Sequence, residues 1–191
     1  MIRSNEILLA SESHRRKELL KLLGFKSIQC CKHLIDEDNF NYKRPLSKSI
    51  IRLAELKADS VFSLQKKKII IAGDTLVIRA GKIFNKVDSQ KEVKSYLKLL
   101  SGRKHFVYGG LCVISSRGKK FTRFIKTEVY FNKIEEKEMT HDVLEDGIGK
   151  AGGYAIQNFG SRFIKKIRGC YTNVVGISIP ELYKIFKSPE F

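Results

Sequence analysis

Apolar residues recur along this chain with two different periods, and the switches between the periods mark out its elements. Glu6 leads into Ile7-Leu8-Leu9-Ala10, a short unbroken apolar run of the kind that forms a buried strand. The polar turn Ser11-Glu12-Ser13 follows. Leucines 19, 20, 22 and 23 then share one side of a helix that runs from Arg15 to Gly24. Ser11 or Ser13 is placed to cap that helix, and Gly24 to end it. Ile28 to Lys32 predicts another strand. From Ser47 to Ser63 the apolar positions Ile50, Ile51, Leu53, Ala54, Leu56, Ala58, Val61 and Phe62 predict an amphipathic helix. Beyond Lys66-Lys67-Lys68, the run Ile69-Ile70-Ile71-Ala72-Gly73 reads as a buried strand ending at Asp74-Thr75. Leu76 to Arg79 and Ile83 then flank Ala80-Gly81-Lys82 as a hairpin. Asp88-Ser89 caps a helix towards Leu100, closed by Ser101-Gly102.

The second half opens with two long β stretches, Phe106 to Ser115 and Lys120 to Phe131, joined by a turn at Arg117-Gly118-Lys119. Helices are predicted over Glu135 to Glu145 and Pro180 to Lys187. Between them Gly147 to Gly176 holds seven of the chain's 14 glycines and reads as a loop whose backbone can approach a ligand closely. Helices and strands mix without regular βαβ alternation, so the predicted class is α/β in the mixed α+β sense. A length of 191 residues suits a single catalytic domain spanning 1–191, or two small lobes that share a core. There is no internal repeat and no low-complexity linker.

Composition narrows the picture. With 42% hydrophobic and 30% charged residues the chain is neither disordered nor membrane-like. The longest candidate for a membrane span, Lys68 to Ala72, is only strand-sized, and the opening Met1 to Glu6 lacks the apolar stretch of a signal peptide, so the expected location is the cytoplasm. The unusual quantity is charge: 37 Lys and Arg against 20 Asp and Glu give +17. Such a surplus favours contact with polyanions such as nucleotides and nucleic acids. It is spread evenly, +10 over residues 1–100 and +7 over 101–191, with no basic tail, so a solvated basic surface is the competing reading. Cys30, Cys31, Cys112 and Cys170 form no C-x-x-C pair and the four histidines no ligand pair. Buried or half-buried reduced thiols, and no zinc site, are expected.

Four stretches have residue types suited to phosphate chemistry. Ser11, Ser13, Arg15 and Arg16 sit at a helix N-terminus, where unpaired N–H groups and partial positive charge suit an anion and guanidinium can grip phosphate oxygens in pairs. The same residues also make an ordinary capped helix. Asp74 follows a buried apolar run; a carboxylate there either faces a cleft, where it could deprotonate water or hold Mg²⁺ beside phosphate, or caps a turn. Glu37, Lys57, Lys86 and Lys150 are surface charges unless the fold gathers them. Gln157, in Lys150-Ala-Gly-Gly-Tyr-Ala-Ile-Gln157, carries an amide able to read a base edge, although the segment is neither a P-loop nor a G-x-G-x-x-G.

In order and spacing these stretches resemble the Maf family of nucleoside triphosphate pyrophosphatases over nearly the whole chain. Leu9-Ala10-Ser11-Glu12-Ser13-His14-Arg15-Arg16-Lys17-Glu18-Leu19-Leu20 is similar to L-A-S-x-S-P-R-R-x-E-L-L. Asp36-Glu37, Arg52-Leu53-Ala54 with Lys57-Ala58, Gly73-Asp74-Thr75, Leu100-Ser101-Gly102-Arg103 with His105, Lys150 to Gln157, and Tyr171 with Asn173 to Gly176 match further family blocks. The resemblance implies an elongated, twisted mixed sheet flanked by helices, with two lobes and a central cleft, as in the Maf and ITPase folds. It implies hydrolysis between the α- and β-phosphates of a nucleoside triphosphate with a divalent cation, and Asp74 as general base; on these residues Glu37 and Asp74 are expected to hold Mg²⁺ or Mn²⁺, and Ser11, Ser13, Arg16, Lys57 and Lys86 to meet the phosphates. Arg15, Thr75 and Gln157 occupy the positions that separate subfamilies, and this set resembles the dTTP/UTP branch. A homodimer, a role in cleaning the nucleotide pool and a link to cell-division arrest are further implications. Departures are His14 for the motif's proline, Ala72-Gly73 for the G-A before Asp74, Asn85-Lys86-Val87-Asp88 for G-K-P-x-D, Gly149 for an acid before Lys150, and Ala155 and Asn158 for loop glycines. None removes a residue assigned to chemistry. The rival is a nucleic-acid-binding protein without catalytic activity that uses the +17 surface, although no nucleic-acid motif supports it.

Overall fold

The computed structural model describes residues 7–25, 28–37, 39–65 and 67–191. Glu6 at the head of the first strand, Asp38 of the acidic stretch, Lys66 of the lysine cluster and the reading of Met1 to Glu6 lie outside these residues. Seven strands, β1 (Ile7–Leu9), β2 (Gln29–Cys30), β3 (Ile69–Arg79), β4 (Lys82–Phe84), β5 (Lys104–Ile114), β6 (Lys120–Phe131) and β7 (Ile164–Arg168), form one sheet in the order β2-β1-β3-β5-β6-β7, with β4 paired to β3. β1 runs parallel to β2 and β3, while β3–β4 and β6–β7 are antiparallel, so the sheet is mixed. The helices are α1 (His14–Lys21), α2 (Leu46–Phe62), α3 (Gln90–Leu100), α4 (His141–Gly147), α5 (Tyr171–Val175) and α6 (Ile179–Lys187). The mixed α/β class read from the sequence is the class observed.

The chain divides into two compact units. The first comprises Met1–Asp74, Gly109–Ile125 and Gly176–Phe191. Its core is built where α2 lies on the sheet: Ala54, Ala58 and Val61 meet Leu8 of β1 and Ala10 just after it, Ile70 and Ala72 of β3, and Cys112 and Ile114 of β5. Small residues on both sides let helix and sheet approach closely. The limit is reached at Gly110, where a Cβ would stand 2.4 Å from the Ile50 carbonyl oxygen. Burying a side chain such as Val61, which has no exposed surface, contributes on the order of 1.5–3 kcal/mol.

The second unit comprises Thr75–Tyr108 and Lys126–Val175. Val93, Leu97 and Leu100 make the buried stripe of α3, whose N-cap Ser89 accepts a hydrogen bond from Glu92 N. His105, Phe131 and Tyr154 pack edge to face with ring centroids 4.8–5.5 Å apart. Asn173 Nδ2 donates to Val107 O and Thr127 Oγ1, which ties α5 to the strands.

Four local expectations are corrected. β3 does not stop at Asp74 but continues to Arg79, because Thr75-Leu76-Val77-Ile78 extends the β-branched, apolar run through the carboxylate. Glu135 to Glu145 is not one helix: Glu135 and Glu138 cap each other in a single 3₁₀ turn, Glu136–Glu138, and α4 restarts after Thr140 in extended conformation. Gly147 to Gly176 is not a plain loop, since it contains β7 and α5. β7 was hidden because an edge strand rich in lysine shows little apolar alternation. Finally, Cys30 is exposed on the two-residue strand β2, whereas Cys31 and Cys170 are half-buried and Cys112 is buried, its thiol pushed up to about 12 chiefly by that burial.

Candidate active site

The first unit gathers a cluster of polar side chains around one lysine. Lys57 projects from α2 with no exposed surface. Its ammonium lies 2.5 Å from Asp74 Oδ1, on β3, and 2.8 Å from Glu37 Oε1, on the segment after β2. Burying a cation so completely is costly unless it is paired, and here two carboxylates share it. The arrangement follows from the packing already described: the small face of α2 seats the helix on the sheet, so its lysine reaches the strand carrying Asp74. Two further side chains close the cluster. Tyr42 Oη donates to Asp74 Oδ2 at 3.2 Å, and His33 Nε2 lies 2.8 Å from Glu37 Oε1. Burial first, and then the charge of Asp74, push the Tyr42 hydroxyl well above its ordinary range, so it stays a donor.

A second group lies in the same unit at the start of α1. Ser13 is the N-cap and accepts from Arg16 N. Ser11 Oγ accepts from Ser13 N and from Arg16 Nη1, both at 3.2 Å, and Arg16 Nε donates to Gly176 O at 3.2 Å. Gly176 has φ +146°, and a Cβ there would lie 3.1 Å from Arg16 Cγ, so the guanidinium is seated against bare backbone. Arg15 is half-buried on the same turn. His14, standing where the motif has proline, begins α1 without disturbing the cap.

Four of the sequence-derived residues, Thr75, Lys86, Lys150 and Gln157, belong to the second unit. Thr75 is half-buried on β3 and Lys86 is exposed between β4 and α3. The backbone on either side of Lys86 is tied to the glycine-rich segment, Gly149 N donating to Val87 O and Gly152 N to Asn85 O. Gln157 is exposed and lines a shallow depression of about 380 Å³ with Asn158, Phe159, Ser161 and Arg162. Lys150 bonds to the Asp146 backbone carbonyl and lies 3.5 Å from its carboxylate, which also accepts from Asn158 Nδ2 at 2.8 Å. The acid missing at position 149 is thus answered, for Lys150, by one three residues earlier. His105 Nε2 hydrogen-bonds the Tyr154 hydroxyl at 2.8 Å in the core of this unit; burial, and then the charge of Arg79, lower its pKa to about 4.

Among the described residues no three His, Cys, Asp or Glu side chains gather as a ready-made metal cage. Asp74 and Glu37 do converge on a single cationic point. Two hard carboxylates, with phosphate and water completing the shell, suit Mg²⁺ or Mn²⁺ and not a structural zinc. The donor set fits a hard divalent cation.

A family model described as Maf-like protein matches residues 6–188. The chain belongs to the Maf family. It is 37% identical over 186 residues to the dTTP/UTP pyrophosphatase of Syntrophus aciditrophicus, covering 96% of this chain and 90% of that one. It is 38% identical to the dTTP/UTP pyrophosphatase of Bacillus pumilus, with 96% of each chain covered. Among solved structures, a HAM1 protein from Coxiella burnetii aligns with 95% of this chain and 98% of its own, at 13% identity and TM-score 0.49. Within this Maf chain the motif residues Glu37, Lys57 and Asp74 come together, as do Ser11, Ser13 and Arg16 at α1. The sequence reading missed Tyr42 and His33. Neither falls in a family block, and Tyr42 meets Asp74 across 32 residues of chain, so no local spacing announces it.

Proposed function

We infer that this Maf protein is a nucleoside triphosphate pyrophosphatase acting on dTTP and UTP, and that it releases the monophosphate and pyrophosphate. The observation that carries the reading is the buried Asp74–Lys57–Glu37 cluster, in a chain whose relatives named dTTP/UTP pyrophosphatase match it at 33–38% identity over nearly its full length. In this reading Ser11, Ser13 and Arg16 bind the triphosphate at the N-terminus of α1, with Lys86 adding charge. Asp74 takes a proton from water as the water oxygen bonds to the α-phosphorus. The α–β bridging P–O bond breaks, pyrophosphate departs with that electron pair, and the proton passes from Asp74 to solvent. Lys57, proposed from sequence as a phosphate ligand, holds both carboxylates in place in the nucleotide-free state, and lends its charge to the phosphates once they arrive. A divalent cation held by Glu37 and Asp74 would supply charge neutralisation on the phosphate oxygens. Arg15, Thr75 and Gln157 select the pyrimidine, Gln157 through an amide that both donates and accepts.

No helix among the described residues is long and apolar enough to cross a membrane. The proposed setting is the cytoplasmic nucleotide pool, with the enzyme as a homodimer. The test is a panel of all NTPs and dNTPs with Mg²⁺, read as pyrophosphate released. dTTP and UTP should lead in kcat/KM, and Asp74→Asn should lower kcat by about 10²- to 10⁴-fold. Absence of pyrophosphate from both pyrimidines, or an unimpaired Asp74→Asn enzyme, refutes the reading.

A further inference from the structure

We propose that Tyr42 is a positioning residue for the Asp74 carboxylate, fixing the plane in which that group meets water. The proposal rests on the hydrolase reading above and deepens it. A carboxylate turns easily about its last side-chain torsion, whose energy wells are broad. One donor, Lys57 Nζ on Oδ1, leaves that rotation open. A second donor on the other oxygen closes it, and Tyr42 Oη occupies that place at 3.2 Å from Oδ2.

The two donors come from independent parts of the first unit, Lys57 from α2 and Tyr42 from the segment between β2 and α2. Tyr42 is itself held. Its ring packs edge to face against Phe40, with centroids 4.9 Å apart and planes at 78°, so the hydroxyl is delivered by a braced lever. A phenol donates a single hydrogen, and here that hydrogen is directed at Asp74 Oδ2. Each Asp74 oxygen retains a second lone-pair direction, which leaves it able to accept a proton from water. The same segment carries Glu37, so the chain that brings one carboxylate to Lys57 also brings the hydroxyl that orients the other.

The experiment compares wild type with Tyr42→Phe, which removes one oxygen and keeps the ring against Phe40. Pyrophosphate release from dTTP should show kcat lowered about 10- to 100-fold, the range for removing a partner that orients a reacting ligand. The KM for dTTP, the Kd for its non-hydrolysable α,β-imido analogue and the melting temperature should stay close to wild type, because the loss falls on the reacting geometry and not on binding. In an Asp74→Glu background, where the carboxylate is already displaced, the same substitution should change kcat by less than about twofold. Loss of analogue binding in proportion to kcat, equal losses in both backgrounds, or an unchanged kcat in Tyr42→Phe overturns the role of Tyr42 while leaving the hydrolase reading intact. A wild-type protein that yields no pyrophosphate sinks both.

Discussion

At the scale of single residues the unusual feature is a lysine with no exposed surface between two carboxylates. Removing Lys57 and removing Asp74 should therefore do different things. Lys57→Met leaves Asp74 and Glu37 facing each other without their shared cation, and breaking a buried pair from one side costs about 3–5 kcal/mol. Glu37 is about a quarter exposed, with 26% of its side-chain surface accessible, so the low end applies and a loss near 3 kcal/mol in urea unfolding at neutral pH is expected, together with loss of turnover. Asp74→Asn leaves Lys57 paired with Glu37 and should cost much less stability for the same loss of turnover. Equal stability losses in the two variants would contradict this account. The residues that carry the contrast were readable to different degrees. Asp74, Ser11, Ser13 and Arg16 announce themselves by polar chemistry at the edges of apolar runs. Lys57 looked like any solvated lysine on an amphipathic helix, and only the seating of α2 on the sheet reveals that it points inward. Tyr42 gave no sign, because its partner Asp74 lies 32 residues away, and His33 gave none although its partner Glu37 is four residues on, because the stretch between them shows no helical or strand period.

At the scale of elements the site depends on how closely α2 approaches the sheet. Gly110 of β5 is the contact that sets this distance, since any side chain there meets the Ile50 backbone. Gly110→Ala must push α2 outward or bend β5, and such overpacking costs about 1–3 kcal/mol. The displaced helix carries Lys57, so kcat should fall along with the melting temperature even though Gly110 carries no catalytic group. An alanine variant with wild-type kcat and melting temperature would show that the helix is not held at this point. The element pattern itself was largely legible. β1, α2, α3 and the β5–β6 hairpin follow from apolar period and capping residues, to within a residue or two at their ends, while α1 starts as expected but closes at Lys21, three residues before Gly24. Two of the misses share a cause: local signals were given weight that neighbouring strands override. Asp74-Thr75 reads as a strand end but is carried through by the apolar run that follows it. Ile164 to Arg168 reads as loop but is held by pairing with β6, whose register sets Tyr130 opposite Lys166.

At the scale of the whole molecule, the +17 charge and the buried His105 act together as pH falls. His105 is neutral in the folded protein, with a pKa of about 4 against an ordinary 6.5. The unfolded chain therefore binds more protons between these values. Stability from this residue is complete above about pH 6.5 and is lost as pH falls towards 4, a depression worth about 3 kcal/mol. Over the same interval surface carboxylates begin to protonate, raising a charge that already repels itself. The two contributions separate by experiment. Added salt screens the repulsion between exposed charges but barely reaches a buried imidazole. His105→Gln removes the titration and leaves the surface charge untouched. Urea unfolding of wild type should thus weaken from pH 6.5 to 4. Raising the salt from about 20 to 200 mM should restore only part of that loss, since screening strengthens with ionic strength. The slope that survives in high salt should flatten in His105→Gln, whatever that variant's absolute stability. If the residual slope is identical in the two proteins, the acid sensitivity belongs to the net charge alone, and His105 accepts its proton at no cost to the fold.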